Sequence, residues 1–462
     1  MADLFTSLTT AARALEAQRF ALDATGQNIA NVNTPGYSRR VVDFAAVPPY
    51  DKYSAGSGVR VMDLRSQRDL LIERRLEQES TAAHRESALA DALGLVEVAL
   101  GTSGNSVDTR LAQFFDSVSR LADSPTSPVA RQEVALQGES LAAAIRQTYG
   151  RLAEARRNAN TRLGATVEEI NAIAARVAAL NESIAIAGAD PAGLHLADEQ
   201  AGLVRKLAEL TDINVLPRSN GGVDIDIAGG RALVVGNSSY GLVASAAGPD
   251  GMLQISINGG DITQELTGGR AGGLLVARDQ RIPAYLASLD EQAYTLATTV
   301  NTIHAAGFDL AGNTGQDFFA FSSPIVGFAG AAQALIVDPA VAADPSRIAA
   351  AGAALPGDNQ NARALANARD ALVLEGGTAT LSEGWGNFIY RTGRDLQTAR
   401  QEAAMRQEVV LQVETLRDQV SGVSLDEEAM NLMRYQRAYE ANARFFSVID
   451  ETLDMLLNAL AR

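Results

Sequence analysis

The chain of 462 residues contains no cysteine, only two lysines and a single tryptophan. Without a thiol it can form no disulfide framework, no cysteine-ligated zinc or iron–sulfur site and no cysteine nucleophile. Its 55 acidic residues outnumber its 39 basic residues, and the resulting net charge of −16 argues against a general nucleic-acid binder. No window approaches the roughly 18 uninterrupted apolar residues of a membrane span, so we expect no membrane insertion.

Patterns typical of catalytic sites are missing as well. His84, His195 and His304 are isolated in the sequence, which excludes the His-Glu-x-x-His pattern of metalloproteases. Neither lysine follows a glycine, so there is no phosphate-binding loop, and the Gly-x-Ser-x-Gly pattern of hydrolases does not occur. We therefore predict that the protein is not an enzyme and that it binds no cofactor and no metal.

Apolar residues near the N terminus recur at alternating spacings of four and three, the pattern of a helix built for coiled-coil packing. This N-terminal seam consists of Leu4, Leu8, Ala11, Leu15, Leu22 and Ile29, with polar Gln18 and Thr25 between them. The pattern ends in a loop, because proline disfavours helix in the residue before it and glycine permits a positive φ. The candidate loop residues are Asn31, Asn33, Thr34, Pro35, Gly36 and Tyr37. The first residues lack a continuous apolar segment, so we expect no cleaved secretory signal.

The hydrophobic pattern divides the chain into five parts. We predict an N-terminal coiled-coil helix with a loop and hairpin (1–65), the first part of a helical bundle (66–211), an inserted antiparallel β module (212–270), the second part of the bundle (271–420) and a C-terminal coiled-coil helix (421–462). The β module is indicated by β-branched runs separated by glycine-rich turns. A short helix is also predicted near residues 344–354. The expected fold class is therefore mainly α, with an inserted small antiparallel β domain, a central helical bundle and terminal helices in a coiled coil.

The C-terminal helix carries the clearest periodic signal in the chain. Its C-terminal seam consists of Leu432, Tyr435, Tyr439, Asn442, Phe446, Ile449, Leu453, Leu456 and Leu460. An apolar stripe of this length needs a partner, and the N-terminal seam is the obvious one. The alternative is that each terminal helix packs on the middle of the chain as ordinary core.

Particular segments at both ends carry a more specific signal. Residues 21–39 read ALDATGQNIANVNTPGYSR, and residues 422–444 read GVSLDEEAMNLMRYQRAYEANAR. They closely resemble the paired terminal signatures of bacterial flagellar rod, hook and hook-associated proteins. In the middle, residues 114–115, 130–132, 307–310 and 344–349 resemble the hook-associated protein 1 family, whose members form the first junction between hook and filament.

This resemblance implies a structural adaptor that joins hook to filament. It implies self-association in a helical axial lattice, with the hook protein and the second hook-filament junction protein as neighbours. It also implies export by the flagellar apparatus without a cleaved signal peptide, an extracellular location, and terminal helices that order only on assembly. A flagellar export chaperone would cover the C-terminal seam before secretion, and Leu453, Leu456, Leu457 and Leu460 offer it an apolar face.

Three alternatives remain open at this point. The chain could be another flagellar axial subunit, such as the hook protein or the second junction protein, although a hook subunit should be mostly β between its termini. It could carry an inserted enzyme domain, for which no catalytic pattern is present. It could also be an acidic coiled-coil scaffold of the cytosol, which would leave the two terminal signatures unexplained.

Overall fold

The computed structural model describes residues 2–34, 36–48, 56–101, 106–188, 191–355 and 357–460. Helix accounts for 67% of the structure, which confirms the predicted helix-dominated fold with a small antiparallel β module. The helices are α1 (Ala2–Ala30), α2 (Leu70–Leu100), α3 (Val107–Asp123), α4 (Pro128–Ala187), α5 (Pro191–Leu210), α6 (Gly269–Val276), α7 (Ile282–Ala305), α8 (Ala331–Ala334), α9 (Pro339–Ala343), α10 (Gln360–Asn367), α11 (Leu381–Ser421) and α12 (Leu425–Leu460). The strands are β1 (Arg40–Ala46), β2 (Val59–Ser66), β3 (Ile213–Pro217), β4 (Val223–Ile227), β5 (Arg231–Val235), β6 (Ser238–Ser239), β7 (Leu242–Ser245), β8 (Gln254–Ile257), β9 (Gly260–Asp261), β10 (Phe319–Phe321) and β11 (Leu335–Val337).

Side chains at the helix starts explain where the long helices begin. The Asp69 carboxylate accepts hydrogen bonds from the first free amides of α2. Ser127 caps α4, and Pro128 follows in the first turn, where its missing N–H costs nothing. Thr380 and Glu383 form a reciprocal capping box at the start of α11. Each cap fixes a boundary that helical periodicity alone leaves open.

The helix α4 belongs to two hydrophobic cores. Its first half packs with α3, α7 and α11 around Phe114, Phe115 and Phe318, which are at most 2% exposed. Its second half lies against the β module, which contains a four-stranded sheet (β3-β4-β5-β6) and a three-stranded sheet (β7-β8-β9). The strands of the module present Ile225, Leu233 and Ile255 to this second core. We call the central helices α3, α4, α5 and α7 the helical shaft, and the module is built onto it through α4.

One helix, α4, is long and apolar enough to cross a membrane by length and composition alone. Its apolar residues, however, line the two protein cores just described. Such burial inside the chain is the pattern of a core helix.

The prediction of a short helix near residues 344–354 is wrong. The structure has a 3₁₀ turn at Pro345–Arg347 followed by extended backbone, in which Ala351 pairs with Phe308. The backbone amide of Ala349 donates to His304 Nε2 at 2.9 Å, and the Ala349 carbonyl accepts from Asn361 at 2.7 Å. These tertiary hydrogen bonds outweigh the helix propensity of the alanine-rich segment.

Candidate assembly interface at the chain termini

The two ends of the chain meet as a pair of packed helices, α1 and α12. Near their free ends Ala11, Ile449 and Leu453 are buried together. Leu4, Leu8 and Phe446 pack around this small cluster. Six residues from the two predicted seams therefore contact one another in a single subunit.

Between residues 17 and 28, α1 buries a face that differs from the predicted seam. Its buried residues are small or polar: Ala17, Ala21, Ala24 and Asn28 recur every three or four positions, and Thr25 lies beside Ala24. Small side chains allow the helix backbone to approach α12 and the β1–β2 hairpin closely. Leu15, Leu22 and Ile29 of the predicted seam are only half-buried. The helical spacing of these alanines is present in the sequence, but small side chains give a weaker hydrophobic signal than the neighbouring leucines.

The residues of the C-terminal seam also differ in burial along α12. Leu432, Tyr435, Asn442 and Phe446 are half-buried, Ile449 and Leu453 are buried, and Tyr439 and Leu456 are exposed. Tyr435 lies against Phe44 of the hairpin, with 6.3 Å between ring centroids. The side chains of Leu457 and Leu460 lie outside the described part of the structure.

A second apolar stripe on α12 was not predicted from the sequence. Met433, Phe445, Val448 and Met455 are 51%, 49%, 60% and 63% exposed, respectively. Phe445, Val448 and Met455 follow one another at spacings of three and seven on the exposed side of α12, and together with Met433 we call them the outer stripe. Each of these residues is next to a seam residue in the sequence, and this adjacent apolar pattern is the signal that indicates a second stripe. Large apolar side chains clustered on an exposed helix face indicate a surface that another protein covers.

The loop between α1 and β1 is closed by short-range hydrogen bonds. The side-chain amide of Asn31 donates to the Gln27 carbonyl at 2.9 Å, and Thr34 Oγ1 donates to Asn31 Oδ1 at 3.2 Å. Gly36 has φ +83°, and the end of the Arg205 side chain of α5 lies against it. Asn33 is exposed, and the predicted loop residue Pro35 lies outside the described residues. The loop therefore needs glycine at residue 36 for its backbone conformation.

Asn28 connects the end of α1 to the residues that follow the loop. Its side-chain oxygen accepts from the Tyr37 hydroxyl and from the Arg40 amide, both at 2.9 Å. Its nitrogen donates to the Arg40 carbonyl at 2.9 Å and to Glu428 Oε2 at 3.1 Å. Burial raises the pKa of Tyr37 above its usual value, and nearby Arg40 only partly offsets this, so the hydroxyl stays a proton donor. A fully satisfied buried amide of this kind permits only one alignment of its neighbours.

Charged side chains tie the N-terminal loop to the start of α12. Arg39 Nε donates to Glu428 Oε1 at 2.8 Å and its Nη1 donates to Glu427 Oε2 at 2.7 Å. The Arg39 amide also donates to the Ser421 carbonyl at 2.9 Å, at the end of α11. The Glu428 side chain is only 2% exposed, whereas Glu427 is 54% exposed. We call Asn28, Arg39 and Glu428 the terminal clamp.

A second set of ion pairs fixes the hairpin to the helical shaft. Asp198 of α5 pairs with Arg40 at 3.3 Å and also with Arg68, which donates to Ser38 Oγ at 2.9 Å. Neither Asp198 nor Arg68 is predicted from the sequence, because Asp198 is more than a hundred residues from both Arg40 and Arg68. Together with the terminal clamp, these contacts link α1, α12 and α5 at one junction.

Potential metal ligands do not cluster in the described part of the chain. No group of three or more His, Asp or Glu side chains is placed there to hold a metal ion. His304 is fully buried, with its ring nitrogens committed to the Gln316 carbonyl and the Ala349 amide. The arrangement at the termini offers surfaces and ion pairs, which suit assembly.

Comparison with family models places three matches along the chain. Residues 93–319 match the model described as flagellar hook-associated protein FlgK helical domain. Residues 8–37 match the flagella basal body rod protein model, and residues 418–459 match the model for the C-terminal part of flagellar basal body rod FlgEFG proteins. The two terminal matches cover the helices that pair here, and the central match covers the helical shaft with its β module.

Relatives and a solved structure match over long stretches. The chain is 28% identical to flagellar hook-associated protein 1 of Bacillus subtilis, over 100% of this chain and 99% of that protein. It is 26% identical to flagellar hook-associated protein 1 of Escherichia coli, over 98% and 99%, respectively. The flagellar hook junction protein FlgK from Burkholderia pseudomallei has the same fold, with a TM-score of 0.67 and 19% identity over 75% of this chain and 100% of that one. The chain is therefore similar over its full length to proteins named flagellar hook-associated protein 1.

Proposed function

We propose that this protein is a structural adaptor that joins the hook to the filament of the bacterial flagellum. The full-length matches to proteins named flagellar hook-associated protein 1 support this role. The fold supports it too, because a long helical shaft with both chain ends at one site suits a subunit that stacks in a tube. The adaptor acts through its position between hook and filament, and it catalyses no reaction.

The observation that carries the proposal is the apolar surface left open on α12. Packing against α1 buries Ile449 and Leu453, yet Phe445, Val448 and Met455 of the outer stripe stay in water. Covering a large apolar side chain contributes about 1.5–3 kcal/mol, so four such residues per subunit provide a substantial driving force. A second copy that covers the stripe in a heterologous contact exposes its own stripe to a third, which extends a helical lattice.

We further propose the neighbours of the adaptor and its route. The hook protein lies on one side and the second hook-filament junction protein on the other, and the protein reaches its extracellular place through the flagellar export apparatus without a cleaved signal peptide. A flagellar export chaperone binds the C-terminal seam beforehand. Since α1 covers Leu453 in the folded subunit while Leu456 is exposed, the chaperone and α1 compete for this face.

A strain that lacks the protein tests the proposal. Electron microscopy of its flagella is combined with measurement of flagellin in the medium, and the deletion is complemented with the wild-type gene. The proposal expects hooks without filaments, with flagellin lost to the medium, and recovery on complementation. Normal filaments would refute the adaptor role, and loss of the hook itself would assign the protein to the hook or rod instead.

A further inference from the structure

The only sulfur atoms in the chain are the thioethers of seven methionines, because cysteine is absent. Methionine is among the residue types that are most often fully buried in proteins. Six of the seven lie in the described part of the chain, and of these only Met252 is buried. The other five are more than half exposed: Met62, Met405, Met430, Met433 and Met455. Packing in the core therefore does not account for most of the methionines.

Three of the exposed methionines share one side of α12. Met430 precedes Val448 by 18 residues, about five turns of a helix with about 3.6 residues per turn, so both side chains project in the same direction. Met455 follows Val448 by seven residues, about two turns, and Met433 lies within about 60° of the same direction. Met430 therefore extends the outer stripe toward the start of α12. Three of the five side chains in the extended stripe are thioethers.

The charges beside the extended stripe favour a second copy of the chain as the partner that covers it. Exposed charges along its first half are mostly basic: Arg434, Arg437, Glu440 and Arg444. Those along its second half are acidic: Glu451 and Asp454. In the described part of the chain none of these side chains forms an ion pair within the subunit. A copy displaced along the helix axis places the acids of one α12 near the arginines of the next.

Methionine suits a surface that another protein covers, because its unbranched and polarizable side chain adapts to an irregular partner. Oxidation to the sulfoxide makes the same side chain polar and disrupts interfaces that contain it. Hydrogen peroxide transfers one oxygen atom to the thioether sulfur and leaves as water. The sulfur loses two electrons, the peroxide gains them, and no other bond of the side chain changes.

We propose that Met430, Met433 and Met455 form an oxidation site that controls assembly. Peroxide converts the three thioethers to sulfoxides, and the oxidised stripe binds a second copy poorly. The inference rests on the proposed function, in which a second copy covers the stripe, and it adds how that contact is lost. Burying a sulfoxide without a hydrogen-bond partner weakens the contact by about tenfold per residue. The fold of the free subunit is retained, since all three side chains already lie in water.

Peroxide mapping tests whether the site is open in the subunit and covered in the assembly. Purified full-length protein and isolated flagella are treated with hydrogen peroxide, and peptide mass spectrometry measures the sulfoxide fraction at each methionine. In the free subunit we expect Met430, Met433 and Met455 to be oxidised before buried Met252. In flagella we expect their oxidation to be severalfold slower. Equal oxidation in both samples would show that the stripe stays uncovered, and would overturn the inference together with the contact on which it rests.

Glutamine substitution tests the effect of a polar side chain on assembly. A deletion strain is complemented with Met433→Gln plus Met455→Gln, because glutamine approximates the size and polarity of methionine sulfoxide. The matched control is Met62→Gln plus Met405→Gln at exposed methionines outside α12. Electron microscopy should show that the first pair loses most of its filaments and that the control pair keeps them. Normal filaments with the first pair, alongside loss in Val448→Asp, would overturn the oxidation site and leave the junction role standing. Normal filaments with both would overturn the assembly contact as well.

Discussion

Single polar residues decide how the two ends of the chain are held together. Glu428 is 1% exposed, and it accepts hydrogen bonds from both Asn28 and Arg39. A buried carboxylate with two donors satisfied is stable, but removing it leaves both donors without a partner. The terminal clamp therefore depends on Glu428 more than on any surface ion pair nearby.

Substitution Glu428→Ala should loosen the start of α12. We expect the local opening free energy of residues 425–435 to fall by about 1–3 kcal/mol, because Asn28 and Arg39 lose a buried acceptor. Native-state hydrogen exchange measures this. The matched control is Glu427→Ala, whose side chain is 54% exposed and whose loss should cost less than about 1 kcal/mol. Equal effects of the two substitutions would contradict the role given to the clamp.

Stability should also depend on pH through His304. Burial lowers the pKa of His304 below its ordinary 6.5, and hydrogen bonding to Gln316 only partly opposes this. The unfolded chain therefore binds the proton more readily, and stability should fall as pH drops below 6.5, by at most about 1.4 kcal/mol per pH unit. Chemical denaturation at pH 7.5 and 5.5 would show the loss. His195→Gln should retain the loss, whereas His304→Gln should reduce it.

At the scale of elements, α1 and α12 show what periodicity can and cannot predict. The spacing of apolar residues predicted both helices and identified residues that meet, such as Ala11 and Ile449. It did not separate two neighbouring stripes on one helix, because residues one position apart lie only about 100° apart around a helix axis. Which stripe of α1 packs inside the subunit depends on its contacts with α12 and the hairpin, and α12 is far away in sequence.

The same limit applies to the junction beneath the loop. The sequence indicated the loop from its proline and glycine, but Asp198 binds Arg40 across 158 positions and Glu428 binds Asn28 across 400. No local pattern reports such pairs. In the alanine-rich segment after Pro345, tertiary hydrogen bonds likewise overrode a local preference for helix.

The alanine face of α1 gives a prediction at this scale. Ala21→Leu should weaken the packing of α1 by about 1–3 kcal/mol, because Ala21 is only 1% exposed and leaves no room for a larger side chain. Leu22→Ala should cost less, because Leu22 is half-buried. Hydrogen exchange along α1 compares the two variants. A larger loss in Leu22→Ala would mean that the leucine side packs inside the subunit.

At the scale of the whole molecule, one end of the shaft carries both the terminal clamp and the exposed apolar surface. The clamp joins α1 to α12, the Asp198 ion pairs fix the hairpin to the shaft, and the outer stripe lies on the exposed side of α12. In the proposed assembly, folding within the subunit and contacts between subunits therefore use different faces of α12. Substitutions on the two faces should have separable effects.

Val448→Asp should leave the subunit folded but impair its assembly. Val448 is 60% exposed, so a charge there costs little in the free subunit, yet it would be buried when another copy covers the stripe. Circular dichroism should be unchanged, while the number of filaments per cell should fall. The matched control is Ser447→Asp at an exposed polar position next to it. Equal loss of filaments in both variants would show that the outer stripe has no special role.

In the proposed role, the paired chain ends form the surface that joins hook to filament. The most direct measurement is electron microscopy of a deletion strain complemented with Phe445→Asp plus Val448→Asp on the outer stripe, with Gln436→Asp plus Ser447→Asp as the control pair of exposed polar positions. We expect bare hooks and flagellin in the medium for the first pair, and filaments for the control. Normal hook-filament junctions with the first pair would contradict it.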